Sequence, residues 1–150
     1  MTGEPSIILL VEDNPDHAEL VMRNMEGFNA AIRIIHVENG QEALDYLYGK
    51  GEYADRKRYP LPHLMLLDLR LPKVDGLQVL KEVKCSAILR AILVVILTTS
   101  DAERILAMAC EYHADSYLTK PIDLNDFNTL LVCLGGLLTG PEQTAPLNNA

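Results

Sequence analysis

The chain has 150 residues, of which 49% are hydrophobic and 23% are charged, which is the balance of an ordinary globular domain with its own core. Its formal net charge of −8 argues against a nucleic-acid-binding role, because phosphate backbones require a basic surface. The three cysteines show no zinc-binding spacing, and no apolar run approaches the roughly 20 residues of a membrane helix. We therefore expect one cytoplasmic domain that does not contact a membrane.

Short apolar runs alternate with amphipathic segments along the chain, and this alternation predicts strands that alternate with helices. The predicted strands are residues 7–12, 32–37, 64–67, 93–97 and 116–118, and the predicted helices are residues 15–25, 40–48, 76–84, 101–112 and 124–134. Arg33 and His36 interrupt the second strand, which predicts that it lies at the edge of the sheet. Five strands, each followed by a helix, predict a parallel sheet that is covered on both faces.

The last helix and the residues after it carry a surplus of leucines. More of them are present than one helix face can bury, namely Leu130, Leu131, Leu134, Leu137 and Leu138. One interpretation is a homodimer formed through these leucines, and the alternative is a longer helix that packs on its own sheet. Residues 135–150 are rich in Gly, Pro, Asn and Thr, so we predict a C-terminal tail there and no output domain.

Polar residues stand where four of the predicted strands end. Glu12 and Asp13 stand at the end of the first strand, Asp68 follows the third, Thr98 the fourth and Lys120 the fifth. Ligands of open α/β sheets bind outside the carboxyl ends of the strands. The sequence therefore predicts a pocket with three carboxylates, a hydroxyl and an ammonium group on one rim.

These groups suit a divalent cation and a phosphoryl group. Mg²⁺ prefers oxygen ligands, so we predict Asp13 and Asp68 as direct ligands, with Glu12 as a ligand or as the holder of a metal-bound water. The cation and Lys120 both relieve the repulsion among the carboxylates and keep Asp68 ionised. An ionised carboxylate can accept a phosphoryl group as an acyl phosphate, with Lys120 and the Thr98 hydroxyl contacting two of its oxygens.

Each residue also has an ordinary structural interpretation when it is taken alone. Paired acids such as Glu12 and Asp13 are commonly solvated turn residues, and Asp68 or Thr98 would serve as a helix cap. Ser100 is better placed than Thr98 to cap the fourth helix. The joint occurrence of these residues at four separate strand ends favours a functional site.

The motifs VEDN at 11–14, LLDLRLPKVDG at 66–76, ILTTSD at 96–101 and SYLTKP at 116–121 resemble those of response regulator receiver domains of two-component systems. The resemblance spans roughly residues 6–134, so residues 1–134 are assigned to the receiver domain. It implies a flavodoxin-like, doubly wound, five-stranded parallel sheet of order 2-1-3-4-5 with five helices. It also implies that a sensor histidine kinase phosphorylates Asp68, with Mg²⁺ or Mn²⁺ as the cofactor.

The same resemblance implies roles for further residues. The backbone carbonyl of Arg70 is implied as a metal ligand, and Tyr117 is implied to read out phosphorylation together with Thr98. Pro121 is implied to follow a cis peptide bond that orients Lys120.

Two positions are implied to set the rate at which the phosphoryl group is lost, and they are occupied by Arg70 and Ser100. For Arg70 the alternatives are a contact with the phosphoryl group and a solvated side chain. His113 stands where this family usually has a glycine at the end of the fourth helix, so we expect positive φ and local strain there.

A narrower resemblance comes from the segments GEYADRKRYPLP at 51–62 and LTTSDAE at 97–103. They are similar to those of stand-alone regulators that are paired with bacterial phytochrome kinases. The implied function is a single-domain regulator that signals through the surface of its fourth helix, fifth strand and fifth helix, by protein contact or dimerisation.

Three other functions are alternatives to this one. A phosphorelay intermediate or phosphate sink that passes the group to a histidine phosphotransfer protein is an open alternative. An aspartyl-phosphate hydrolase is a remote one, since such enzymes carry a second acid two residues after the nucleophile, where this chain has Arg70. A flavin- or nucleotide-binding module is rejected, because Glu12 and Asp13 would repel a phosphate at the first turn.

Overall fold

The computed structural model describes residues 6–26, 32–71, 73–120 and 126. The strands are β1 (Ser6–Val11), β2 (Ile32–Val37), β3 (Leu64–Asp68), β4 (Leu93–Thr98) and β5 (Ser116–Thr119). The helices are α1 (Pro15–Glu26), α2 (Gly40–Tyr48), α3 (Gly76–Cys85) and α4 (Asp101–Met108), with two short 3₁₀ turns at Gly51–Tyr53 and Leu89–Ala91. All five predicted strands and the first four predicted helices are therefore confirmed.

The strands form one parallel sheet of order β2-β1-β3-β4-β5. The predicted flavodoxin-like order and the edge position of β2 are thus confirmed. β1, β3 and β4 occupy the centre of the sheet and are almost wholly buried. This burial explains why their sequences are nearly continuous runs of Ile, Leu and Val.

The core is divided between the two faces of the sheet, because successive side chains of a strand point to opposite sides. On one face Leu9, Met65 and Ile96 pack with residues of α2 and α3. On the other face Leu10 and Leu66 pack with residues of α1. The helices thus cover both faces, as the alternating sequence pattern predicted.

Polar caps fix the beginnings of the helices near the rim of the sheet. The side chain of Asn14 accepts the backbone N–H of Asp16 at 2.9 Å at the start of α1. Asn39 caps α2, Asp75 caps α3 and Ser100 caps α4, each by accepting a backbone N–H three residues later. These caps set where each loop after a strand turns into its helix.

Helix α4 ends at Met108, so the prediction that it continues to residue 112 is wrong. The N–H of Ala109 is shared between the carbonyls of Ile105 and Leu106, and the N–H of Cys110 bonds to Ala107. These shorter bonds tighten and close the helix. His113 therefore lies beyond the helix end. The expectation of positive φ at His113 is also wrong, because Lys73, at φ 68°, is the one non-glycine residue with positive φ in the described ranges.

Some predictions fall outside the described residues. They are the cis bond before Pro121, the tail at 135–150, the leucines proposed for a dimer, and the fifth helix at 124–134 apart from Asp126, which is helical. Within the described ranges, no helix is both long and apolar enough to span a membrane.

Candidate functional site

The sheet brings the predicted polar residues together at one edge. In β3, Asp68 is the last residue and lies beside Leu97 of β4, while Thr98 ends β4 beside Thr119 of β5. Lys120 follows β5, and its backbone N–H donates to the carbonyl of Thr98 at 2.7 Å. Parallel pairing thus aligns the carboxyl ends of the strands, as the sequence predicted.

Glu12 is held firmly at the end of β1. Its backbone N–H donates to the Val37 carbonyl at 3.0 Å, and its own carbonyl accepts from His36 Nε2 at 2.8 Å. Its side chain accepts the Asn14 N–H at 3.1 Å. Because only 1% of Glu12 is exposed, its carboxylate is a fixed part of the pocket wall.

Three carboxylates form a compact oxygen cluster. Glu12, Asp13 and Asp68 each offer one oxygen, and these oxygens lie within 4.8 Å of one another. Glu12 and Asp68 are buried, whereas Asp13 is exposed. This set of hard oxygen donors, open to water on the Asp13 side, fits a Mg²⁺ or Mn²⁺ ion that retains several waters.

Lys120 is the cation that faces this cluster. Its Nζ donates to Glu12 Oε1 at 2.6 Å and to Asp68 Oδ2 at 3.2 Å, and it lies 3.3 Å from Nδ1 of His17. Burial alone would lower the pKa of Lys120, but the hydrogen bond with Glu12 and the charge of Asp68 outweigh it, so the pKa is raised. Lys120 therefore stays charged and neutralises part of the acidic cluster.

The two buried carboxyls have opposite pKa shifts. Burial, helped by the negative charge of Glu12, raises the pKa of Asp68 to about 6 against the partial compensation of Lys120. Burial also acts to raise the pKa of Glu12, but the hydrogen bonds from Lys120 and Asn14 prevail and lower it. In the metal-free protein Asp68 is thus the carboxyl that takes up a proton first, in line with the repulsion that the sequence predicted.

Thr98 ends β4, and Tyr117 lies on β5 beside Ile96 of β4. The Thr98 side chain is fully buried, and its hydroxyl is 3.4 Å from the Leu118 carbonyl, which is a long hydrogen bond. The hydroxyl of Tyr117 accepts the N–H of Ala114 at 2.9 Å. The structure therefore places Thr98 at the rim and directs the Tyr117 hydroxyl toward the loop before β5.

Arg70 and Ser100 contact a residue that the sequence analysis did not single out. The backbone N–H of Arg70 lies 3.3 Å from Asp68 Oδ1, while its side-chain Nε donates to the carboxylate of Glu103. Ser100 accepts the N–H of Glu103 at 3.1 Å and thereby caps α4. A signal for Glu103 was present, because Ser100 and Glu103 have the spacing of a capping box. No comparable pattern marked His17.

Gly76 allows the loop after Asp68 to fold tightly. A Cβ at this position would lie 2.5 Å from the carbonyl oxygen of Asp68 and 2.9 Å from Leu69 Cα. The N–H of Gly76 donates to the Leu69 carbonyl at 3.1 Å. The absence of a side chain thus lets α3 begin directly against the end of β3 and hold the backbone of Asp68 in place.

The loop between α2 and β3 contains the segment behind the narrower resemblance. Two of its rings pack with Tyr46 of α2, with 5.0 Å between the centroids of Tyr46 and Tyr53 and 5.2 Å between those of Tyr53 and Tyr59. Arg56 donates to the carbonyls of Leu47 and Tyr59, which fastens the loop to the end of α2. These contacts hold this part of the loop against α2.

Comparison with protein families gives a match over most of the chain. The family model described as the response regulator receiver domain matches residues 8–131. Among curated proteins, the probable methanogenesis regulatory protein FilR2 of Methanothrix harundinacea is 48% identical over 126 residues, which are 82% of this chain and 77% of that protein. The response regulator Rcp1 of Synechocystis is 40% identical over 125 residues, or 83% of each chain.

Solved structures of response regulators are also similar to this chain. The bacteriophytochrome response regulator RtBRR has a TM-score of 0.79 and 38% identity, with 88% of this chain and 79% of that chain covered. The Mn²⁺-bound form of Rcp1 has a TM-score of 0.71 and 38% identity, with 85% of this chain and 89% of that chain covered. RtBRR is thus named for a bacteriophytochrome, and the structure of Rcp1 is a Mn²⁺-bound form.

Proposed function

The chain belongs to the response regulator receiver domain family, as its motifs predicted, and we propose that it is a switch in which Asp68 accepts a phosphoryl group from a sensor histidine kinase. The observation that carries the proposal is the contact of Asp68 with Lys120 inside the cluster of three carboxylates. Phosphoryl transfer needs positioning and charge neutralisation, and this arrangement provides both.

In the proposed transfer, a carboxylate oxygen of Asp68 attacks the phosphorus of a phosphohistidine. The new O–P bond forms as the P–N bond breaks, and the electron pair of that bond stays on the imidazole nitrogen. Lys120 moves from the carboxylate oxygen to a phosphoryl oxygen. The hydroxyl of Thr98, which is weakly bonded to the Leu118 carbonyl, turns to a second phosphoryl oxygen. A cleft of about 450 Å³ lined by Asp13, Arg70 and other residues offers the approach for the imidazole.

Glu12, Asp13, Asp68 and the backbone carbonyl of Arg70 are the groups that would hold Mg²⁺ or Mn²⁺. When bound, the cation supplies positive charge against the carboxylates and a phosphoryl oxygen. Asp68 must lose its proton before it can act as a ligand or a nucleophile, so its raised pKa makes the site sensitive to pH. The Lys120 ammonium favours that ionised form.

The partner that we propose is a bacteriophytochrome kinase, located with this protein in the cytoplasm. The support is the similarity to RtBRR over 88% of the chain. We propose that the output surface comprises α4, β5 and the predicted fifth helix, because α4 exposes Ile105, Leu106 and Met108. A protein partner or a second copy of the chain would cover these apolar side chains.

The test is intact-mass analysis of the protein after incubation with Mg²⁺ and a small phosphodonor such as acetyl phosphate, or with an autophosphorylated bacteriophytochrome kinase. We expect wild type to gain one phosphoryl group, and we expect EDTA to prevent the gain. Asp68→Asn should gain none, whereas the matched control Asp55→Asn, an exposed loop residue, should behave as wild type. An adduct on Asp68→Asn, or none on correctly folded wild type, would overturn the proposal.

A further inference from the structure

A chain of side-chain contacts joins the phosphoacceptor loop to the first turn of α4. Arg70, two residues after Asp68, donates through Nε to the Oε2 atom of Glu103. The other oxygen of Glu103 accepts the backbone N–H of Thr99 at 2.9 Å and lies 3.3 Å from its hydroxyl. Thr99 directly follows Thr98, so one carboxylate contacts both loops that border the site.

The two partners of the ion pair differ in their freedom to move. The side chain of Glu103 is 7% exposed and is fixed by the backbone of Thr99, whereas that of Arg70 is 78% exposed. Burial acts to raise the pKa of Glu103, but the bonds from Thr99 and Arg70 outweigh it and lower the pKa, so Glu103 stays ionised. An ion pair with one partner in water is weak, and here the arginine is the partner that can leave.

We propose that Glu103 is a positioning residue that holds the Arg70 guanidinium away from Asp68, and that Arg70 moves from Glu103 to the phosphoryl group when Asp68 is phosphorylated. This inference rests on the proposed function, since it requires phosphorylation of Asp68. The backbone N–H of Arg70 is already 3.3 Å from the Asp68 carboxylate, so the side chain starts beside the acceptor.

A phosphoryl group is the stronger competitor for the guanidinium. It carries more negative charge than the single carboxylate of Glu103, and its oxygens suit the two-pronged geometry of arginine. Once Arg70 leaves, Glu103 retains its bonds to Thr99 but loses its cation. Phosphorylation of Asp68 thereby changes the electrostatic environment of Glu103 in the first turn of α4.

The experiment compares loss of the phosphoryl group in four proteins: wild type, Glu103→Gln, Arg70→Gln and the double variant. The amide oxygen of glutamine still accepts the Thr99 N–H, so Glu103→Gln removes the ion pair and keeps the cap. Each protein is phosphorylated with acetyl phosphate and Mg²⁺, freed of the donor, and followed by intact mass. Glu111→Gln, an exposed change of equal charge, is the matched control.

We expect Glu103→Gln to lengthen the lifetime about twofold to fivefold, because a freed Arg70 occupies the phosphoryl group more often and obstructs the attacking water. The double variant should match Arg70→Gln, since the effect of Glu103 acts through Arg70. An unchanged lifetime in Glu103→Gln would overturn the inference. So would a double variant whose phosphoryl group outlasts that of Arg70→Gln by the same factor, because Glu103 would then act without Arg70.

The two proposals fail in different ways. If wild type gains no phosphoryl group on Asp68, the proposed function fails. If wild type is phosphorylated and Glu103→Gln has the wild-type lifetime, the positioning role alone fails. Thermal unfolding of all variants, followed by circular dichroism, separates either result from a loss of the fold.

Discussion

Binding of a divalent cation should depend on pH through Asp68. In the metal-free protein burial raises the pKa of Asp68 to about 6, above its ordinary value of 3.8. A cation that binds the carboxylate must displace the proton, so the affinity falls as the pH drops through 6. The pKa of Glu12 is lowered, so Glu12 stays ionised over this range and does not add to the effect.

The size of the effect follows from the ionised fraction of Asp68. With a pKa of about 6, roughly one molecule in ten carries the Asp68 carboxylate at pH 5, and nearly all do at pH 7.5. The apparent affinity should therefore rise about tenfold between these pH values, or about 1.4 kcal/mol, and should level off above pH 7.

The assay is titration of the protein with Mn²⁺, followed by electron paramagnetic resonance of the free ion at pH 5, 6, 7 and 7.5. Asp68→Asn should bind more weakly and with an affinity that is nearly independent of pH. Lys81→Gln, an exposed change on α3, serves as the control and should follow wild type. Equal wild-type affinities at pH 5 and pH 7.5, or a tenfold dependence that persists in Asp68→Asn, would refute the reasoning.

Three further predictions concern the free energy of unfolding, measured with urea in the presence of EDTA. Because folding raises the pKa of Asp68, its contribution to stability is present below pH 3.8 and is lost as the pH rises through 6. The free energy of unfolding of Asp68→Asn should therefore exceed that of wild type by about 1–3 kcal/mol at pH 7.5 and should be almost the same at pH 4. Lys120→Met leaves buried carboxylates without their cation, so it should lower the free energy of unfolding by about 3 kcal/mol at pH 7.5 and by less at pH 5. An equal loss at both pH values would contradict this account. Gly76→Ala should lower the free energy of unfolding by at least about 2 kcal/mol, because the new Cβ would lie 2.5 Å from the Asp68 carbonyl oxygen. Gly51→Ala, which has open space but φ of 59°, should lower it by only about 1 kcal/mol. Equal losses in the two variants would argue against the clash.

The polar rim could be predicted because it depends on local pattern. Apolar runs such as those of β1 and β3 identify buried parallel strands, and parallel strands align their carboxyl ends whatever the loops between them do. Glu12, Asp68 and Lys120 therefore had to meet once the runs were recognised as strands. The strand order came from the resemblance of the motifs, because periodicity alone does not specify which strands are neighbours.

The end of α4 shows where local pattern stops being informative. The sequence from Ala109 to Tyr112 has no glycine or proline that would mark a helix end, and the prediction ran on to residue 112. In the structure the chain must turn back early enough for Asp115 to donate its N–H to the carbonyl of Val94 in β4. This long-range bond overrides the local helical preference, and it also places His113 outside any helix cap.

The sequence by itself determined the strands, the helix caps and the kind of chemistry that the rim can support, since these follow from side-chain type and spacing along the chain. Only the tertiary structure decided the raised pKa of Asp68, the three neighbours of the Lys120 ammonium and the ion pair between Arg70 and Glu103. These properties depend on burial and on contacts between residues as many as 108 positions apart, which the packing of the whole sheet creates.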